Sequence, residues 1–191
     1  MGFIVQGLKE LERDYRKAAG AMGKAEARAV NRVGVTIIAA QSRGIADTVN
    51  LRVGTIKKEL RTKRKATPAQ TSIVFEVAGR GVPLKEFIGT TQTKKGVSVR
   101  VLKKGPRATL TAAFGSKKAG GNYFGRVAQG TKKYGSPHVG RLPIAKLYGP
   151  NVLSQFVKDA IQDLGKQAWE SRLPIELERE ANFALRNAGL I

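Results

Sequence analysis

The chain has 191 residues, 41% of them hydrophobic, and carries 35 Lys/Arg against 14 Asp/Glu for a net charge of +21. That length suits one compact domain, and the apolar share is too high for a chain disordered by composition. Cysteine is absent, which excludes disulfides and thiolate metal sites, and no apolar run approaches the roughly 18–20 residues of a membrane span.

The N-terminal stretch has acids in its first turns and no basic leader before a long apolar run, so it does not read as a signal peptide. Ile4, Leu8, Leu11 and Tyr15 recur at three and four, which predicts one face of a helix. Gly20 and Gly23 interrupt that pattern. A second, alanine-rich helix is predicted from about Lys24 to Asp47, with Ala25, Ala29, Val33, Ile37, Ala40 and Ile45 on its core face. A short third helix is predicted near Val53–Leu60, built on Val53, Ile56 and Leu60. Its other side runs into Lys57–Lys65, where six of nine residues are basic, and Pro68 ends any helix there.

The texture then changes. Residues 72–78, 97–102, 108–114 and 123–128 alternate apolar with polar or small side chains, so they read as strands of a small antiparallel sheet. Glycine- and lysine-rich links separate them and read as hairpin loops. Residues 129–150 contain Pro137, Pro143 and Pro150 among glycines, which argues against regular structure over most of the stretch. A last helix is predicted after Pro150 with Asn151 as cap and a stripe of Phe156, Ala160, Ile161, Leu164 and Ala168. Pro174 kinks this helix or starts another, which carries Leu177, Ala181, Ala184 and Leu185. The predicted fold is α+β: N-terminal helices, a small antiparallel sheet with long basic loops, and a long C-terminal helix. One domain, spanning residues 1–191, comprises a helical N-terminal region (residues 1–66), a sheet region (70–128), a loop (129–150) and the C-terminal helix (151–191).

The charge is uneven. Residues 80–150 hold 15 Lys/Arg and a single acid, Glu86, for +14, whereas residues 151–191 hold 5 and 6, for −1. Such a block repels itself unless anions or screening salt lie nearby. Nucleic acid, or an acidic neighbouring subunit, is the implied partner class. The residues placed to contact it are Lys57, Lys58, Arg61, Lys63, Arg64 and Lys65, with the loop lysines Lys94, Lys95, Lys103, Lys104, Lys117, Lys118, Lys132 and Lys133. Lysines on loops reach phosphate without reading sequence; the competing reading is a solvated surface or charge matching between subunits.

Enzyme signatures are scarce. His138 is the sole histidine, in a loop without an acid nearby in sequence, so neither a zinc site nor a histidine-based catalyst is indicated. The C-terminal acids give i, i+4 pairs such as Asp159–Asp163 and Glu176–Glu180, for which a solvated helix face is the default. No nucleophile elbow or phosphate-binding loop occurs. No catalytic, metal or cofactor residue is assigned.

The most specific stretch is 140–152, Gly-Arg-Leu-Pro-Ile-Ala-Lys-Leu-Tyr-Gly-Pro-Asn-Val. It resembles the signature of the phage minor tail protein Z family, here Arg141, Leu142, Pro143, Leu147, Tyr148, Gly149 and Pro150. The order upstream agrees: an Ala-Val-Asn-Arg-Val run at 29–33 in an alanine-rich helix, a basic segment, strands, and Phe-Gly-Arg-Val at 124–127. Arg141 offers a donor fork for a carboxylate, the prolines restrict the backbone, and Leu142, Ile144, Leu147 and Tyr148 form an apolar strip for the last helix or a partner to cover. The resemblance implies a virion structural protein at the head-proximal neck of a long tail, assembled in the host cytoplasm. It implies a ring, with six subunits matching the tail, contacts with the tail terminator, tail tube and head-completion proteins, and support of head–tail joining and DNA passage. It implies no enzymatic activity, no cofactor and no membrane. The alternative is a nonspecific nucleic-acid-binding protein acting through the basic block.

Overall fold

The computed structural model describes residues 8–126 and 144–189. In chain order the elements are α1 Leu8–Thr48, α2 Val53–Glu59, β1 Leu60–Arg64, β2 Val74–Val77, β3 Gly81–Pro83, a 3-10 turn Leu84–Glu86, β4 Thr91–Thr93, β5 Gly96–Val99, β6 Ala108–Leu110, β7 Ala113–Ser116, β8 Asn122–Arg126, β9 Ile144–Lys146, β10 Tyr148–Asn151, α3 Leu153–Phe156 and α4 Asp159–Asn187. The α+β class and the long C-terminal helix are as the sequence predicts.

Several local expectations give way. The two predicted N-terminal helices are one, because Gly20 and Gly23 cost about 1 kcal/mol each against alanine while Ala18, Ala19, Ala21, Lys24 and Ala25 favour continuation. Tyr15, placed on the core stripe, is 76% exposed. The basic run Lys57–Lys65 is not a helix flank: helix stops at Glu59 and the chain enters β1, paired with the β-branched β2. The predicted strand 108–114 is two strands in different sheets, broken by a turn at Thr111 and Ala112. Residues 144–146 and 148–151 of the signature are strand, not irregular chain; the rest of the stretch predicted to be irregular, 129–143, lies outside the described residues. Asn151 does cap, its Oδ1 accepting from Ser154 N–H at 3.0 Å, but it caps the short α3; the long helix starts at Asp159 and runs through Pro174 without a second start.

The chain divides into two compact units: Met1–Ala40, Arg61–Glu76 and Asp163–Ile191 form one, Gln41–Leu60 and Val77–Gln162 the other. In the first, the helical unit, Ala25, Ala29, Val33 and Ile37 of α1 are buried at the predicted spacing. Ala27, Val30 and Ala66 form a buried cluster against which Ile73, Trp169 and Leu173 pack. Asn31 clasps the backbone of Ala66 in both directions, Nδ2 donating to its carbonyl and Oδ1 accepting from its N–H, each at 2.9 Å. Glu180 of α4 is only 3% exposed, contrary to the solvated face predicted for the C-terminal acids. Its two oxygens receive Arg28 Nε at 3.1 Å and Arg32 Nε at 2.9 Å. The two arginines lie one turn apart on α1, so their forks reach one carboxylate together, and the Arg28 guanidinium also sits 5.4 Å above the Phe183 ring.

In the second, the β unit, β4-β5-β6 and β7-β8-β9 are three-stranded and β3-β10 two-stranded, all antiparallel. Ile45, Ile56, Leu60, Val82, Phe87, Val97 and Val152 are its most deeply buried large side chains. Leu147 links two of the sheets: its N–H donates to Tyr123 O at 2.9 Å, and its carbonyl accepts from Leu84 N–H at 3.2 Å. The signature therefore passes from β8 to β3 within a few residues. Pro83 and Pro150 are tolerated because a two-stranded sheet consists of edges. Gly149 lies against the core: a Cβ there would stand 2.6 Å from Cε2 and Cζ of Phe87.

Two stability predictions follow from these contacts. Replacing Arg28 and Arg32 together by alanine leaves the buried carboxylate only Arg179, 3.7 Å away and shared with Glu176, so chemical denaturation is expected to show a loss of up to about 3–5 kcal/mol, whereas Glu180→Gln, which leaves half-exposed arginines free to face water, is expected to lose less. An unchanged denaturation midpoint in the double variant would show that the pair does not hold α1 to α4. Gly149→Ala overpacks Phe87 and is expected to cost about 1–3 kcal/mol. Combining it with Phe87→Leu should cost less than the two changes added separately, and strict additivity would dismiss the contact.

Candidate functional site

The described residues of the signature are paired into two sheets and present several of their side chains outward. β9 pairs with β8 in the register Lys146↔Phe124, Ala145↔Gly125, Ile144↔Arg126, and β10 pairs with β3 through Tyr148↔Pro83 and Asn151↔Gly81. Strand alternation turns Gly149 inward and Tyr148 and Pro150 outward. Ile144 and Tyr148 are each 55% exposed, so the apolar strip is uncovered at these positions. Leu147 is half-buried.

Beside Tyr148 opens a cleft of about 300 Å³ whose lining includes Thr55, Lys58, Glu59, Arg80, Glu86 and Lys146. Glu59 accepts from Arg80 through both Nε and Nη2, each at 3.3 Å. The hydrogen bond to Glu59, and then its charge, raise the Arg80 pKa above the ordinary arginine value. Thr55 Oγ1 donates to Glu86 Oε2 at 3.1 Å. Lys146 Nζ lies 5.5 Å from the Tyr148 ring centroid. Among the described residues neither Lys58 nor Lys146 has a carboxylate within 4.0 Å. The cleft thus combines an exposed aromatic ring with two uncommitted cations, a surface suited to a carboxylate-bearing partner.

The basic residues do not form one cluster. Lys57 and Lys58, exposed on the last turn of α2, belong to the β unit, whereas Arg61, Lys63, Arg64 and Lys65 belong to the helical unit. Arg61 is engaged with Glu76 at 3.0 Å, and Arg64 Nη2 donates to Ser72 Oγ at 3.4 Å. Lys94 and Lys95 form a two-residue turn closed by the Thr93↔Gly96 pair, Lys103 and Lys104 follow β5, and Lys117 and Lys118 open the β7–β8 turn. Neither Lys94 nor Lys95 has a positive φ; the reversal is completed at Gly96, φ +131°, where a Cβ would overlap the Leu110 carbonyl. Lys103 is committed to Asp47 at 3.2 Å. Lys132, Lys133, His138, Arg141, Leu142 and Pro143 lie outside the described residues.

Sequence reasoning overlooked Thr55, Glu59, Arg80 and Lys146 as neighbours of the signature. Arg80 lies between two glycines and reads as a turn residue; only the β3–β10 pairing brings it to Tyr148, and no local pattern carries that information. Among the described residues no three His, Asp or Glu side chains converge as for a metal ion, and no helix is long and apolar enough to cross a membrane.

No curated protein and no solved structure matches the chain significantly. The family model described as prophage minor tail protein Z (GPZ) matches residues 5–188, nearly the whole chain, and this span takes in the signature strand, the cleft beside it, the whole β unit and all but the ends of the helical unit. A phage tail structural role and a place in the virion come with that family. The chain belongs to the prophage minor tail protein Z family.

Proposed function

We propose that the chain completes the head-proximal end of the phage tail, acting as one tail-completion domain over residues 1–191, and that it works as a ring of identical subunits, six to match the tail. Its neighbours there are the tail terminator, the tail tube and the head-completion proteins, and its role is to support head–tail joining and DNA passage. The observation that carries this reading is the outward presentation of the family signature: Ile144 and Tyr148 are each 55% exposed on strands fixed by pairing on β8 and β3. An apolar side chain fixed in place and left uncovered is suited to burial by a neighbouring subunit. Lys58 and Lys146 beside it add a cationic rim that selects a neighbour bearing carboxylates.

The test is deletion of the gene from its prophage, induction, and electron microscopy of the lysate together with a count of infectious particles. Free heads and tails, or joined but non-infectious particles, rescued by the wild-type chain, are the expected result. Complementation with Tyr148→Ala or Ile144→Asp should restore little infectivity. The purified variants should keep wild-type stability to within about 0.5 kcal/mol, since both side chains are exposed. Normal infectious particles from the deletion would sink the tail-completion reading; full rescue by both variants would sink the signature strand as its interface.

A further inference from the structure

The excess charge is concentrated in one unit of the fold. The residues of the β unit include 20 Lys/Arg and 4 Asp/Glu, for +16, and those of the helical unit 15 and 10, for +5. Three of the four acids in the β unit are already engaged: Asp47 with Lys103 at 3.2 Å, Glu59 with Arg80 at 3.3 Å and Glu86 with Thr55 at 3.1 Å.

Two hairpin tips carry lysine pairs. Lys94 and Lys95 turn β4 into β5; Lys117 and Lys118 begin the turn from β7 to β8. The hairpins touch just short of their tips, where Gly115 N–H donates to Gln92 Oε1 at 2.7 Å. Lys85 joins them, its Nζ donating to Gly120 O at 3.4 Å. Each lysine pair starts two residues beyond the Gln92–Gly115 contact, so at ~3.3 Å per strand residue the tips lie within roughly 20 Å of each other. All five lysines are exposed, and among the described residues none has a carboxylate within 4.0 Å.

We propose that this surface, Lys94, Lys95, Lys117 and Lys118 with Lys85, binds the phosphate backbone of duplex DNA without sequence preference. A 20 Å length of duplex carries roughly twelve phosphate charges, enough to engage every lysine present. A protein partner fits less well: lysine is depleted from protein interfaces, and none of the exposed large apolar residues lies at residues 91–95 or 116–121. No aromatic side chain stands at either tip, so the stacking that captures single strands is missing. Lysines on short turns end in point charges and reach phosphates, not base edges, which makes the contact indifferent to sequence.

The experiment is fluorescence anisotropy of the purified full chain with labelled random-sequence duplex DNA over a series of salt concentrations. The tip variant carries Lys94→Ala, Lys95→Ala, Lys117→Ala and Lys118→Ala. A control variant removes the same charge from the helical unit at exposed positions outside the basic runs: Lys24→Ala, Lys166→Ala, Arg172→Ala and Arg186→Ala. The wild type should bind with steep salt dependence. The tip variant should bind at least about tenfold more weakly at 0.1 M salt, with a log–log salt slope shallower by about 3–4, and the control should stay near wild type. Each hairpin pair changed alone should account for about half of the slope change, with circular dichroism unaltered. Equal losses in tip and control variants would overturn the proposal, because bulk charge and not this surface would be responsible. Absence of salt-dependent duplex binding by the wild type at 50 mM salt would overturn it as well. Neither result bears on the place of the chain in the tail, which the deletion phenotype decides separately.

Discussion

The backbone of Gly149 lies against the ring of Phe87, and the presentation of the signature strand depends on that contact. Phe87 is 1% exposed and fixed in the core, so the chain can pass over it only where no Cβ intervenes. Once Gly149 faces inward, strand alternation turns Tyr148 and Pro150 outward. A slip of one residue would put the tyrosine against Phe87 and the glycine in water. Leu147 prevents that slip by bonding Tyr123 on one side and Leu84 on the other. The exposed aromatic, its neighbour Lys146 and the cleft lined by Lys58 and Arg80 are therefore placed by the buried side of the same strand.

The helical unit solves a different problem. Its principal helix buries alanines, which permit close approach but each remove little apolar surface from water. Small, similar side chains specify register weakly. Two polar contacts supply what they lack: the Asn31 clasp on Ala66 and the Arg28–Glu180–Arg32 bridge. The run Ala29-Val30-Asn31-Arg32-Val33 thus combines packing residues with two residues that fix a neighbour. Burying Glu180 would be unfavourable for an isolated carboxylate. Both arginines remain about half exposed, so they carry some of their hydration while their donors satisfy the buried oxygens.

What could be read from the sequence was what depends on near neighbours. Apolar spacing located the buried face of α1 from Ala25 to Ile45, β-branched alternation located β2 and β5, and the position before the turn identified Asn151 as a cap. The signature pointed to the family before any fold was known. Features set by distant partners were not legible. Gly20 and Gly23 look like breaks until the surrounding helix formers are weighed against them. Lys57–Lys65 has the composition of one basic patch, yet the change from α2 to β1 assigns its halves to different units. Glu180 resembles every other acid of α4; only the arginines about 150 residues earlier in the chain distinguish it. The prolines of 137–150 argued against strand, but Pro150 is accommodated on an edge that local sequence does not reveal.

Charge ties the β unit to its function through the same opposition of buried and exposed. A unit with a formal charge of +16 repels itself, and its few acids relieve little of that, since they are spent at the end of α1 and around the cleft. The apolar core must therefore hold the sheets together against the repulsion, and the fold lessens it by placing many of the lysines at turn tips, in water, where screening is greatest. Lysine suits those positions because its ammonium is strongly hydrated and keeps its freedom on a four-carbon stem. That arrangement also preserves the attraction for an outside polyanion, since the charges are not consumed internally. The signature strand lies elsewhere in the same unit and is apolar and geometrically fixed, as a specific protein contact requires. One unit thus offers two surfaces of opposite character, a shaped one suited to a specific neighbour and a diffuse cationic one suited to an extended polyanion, and the proposed place in the tail would draw on both.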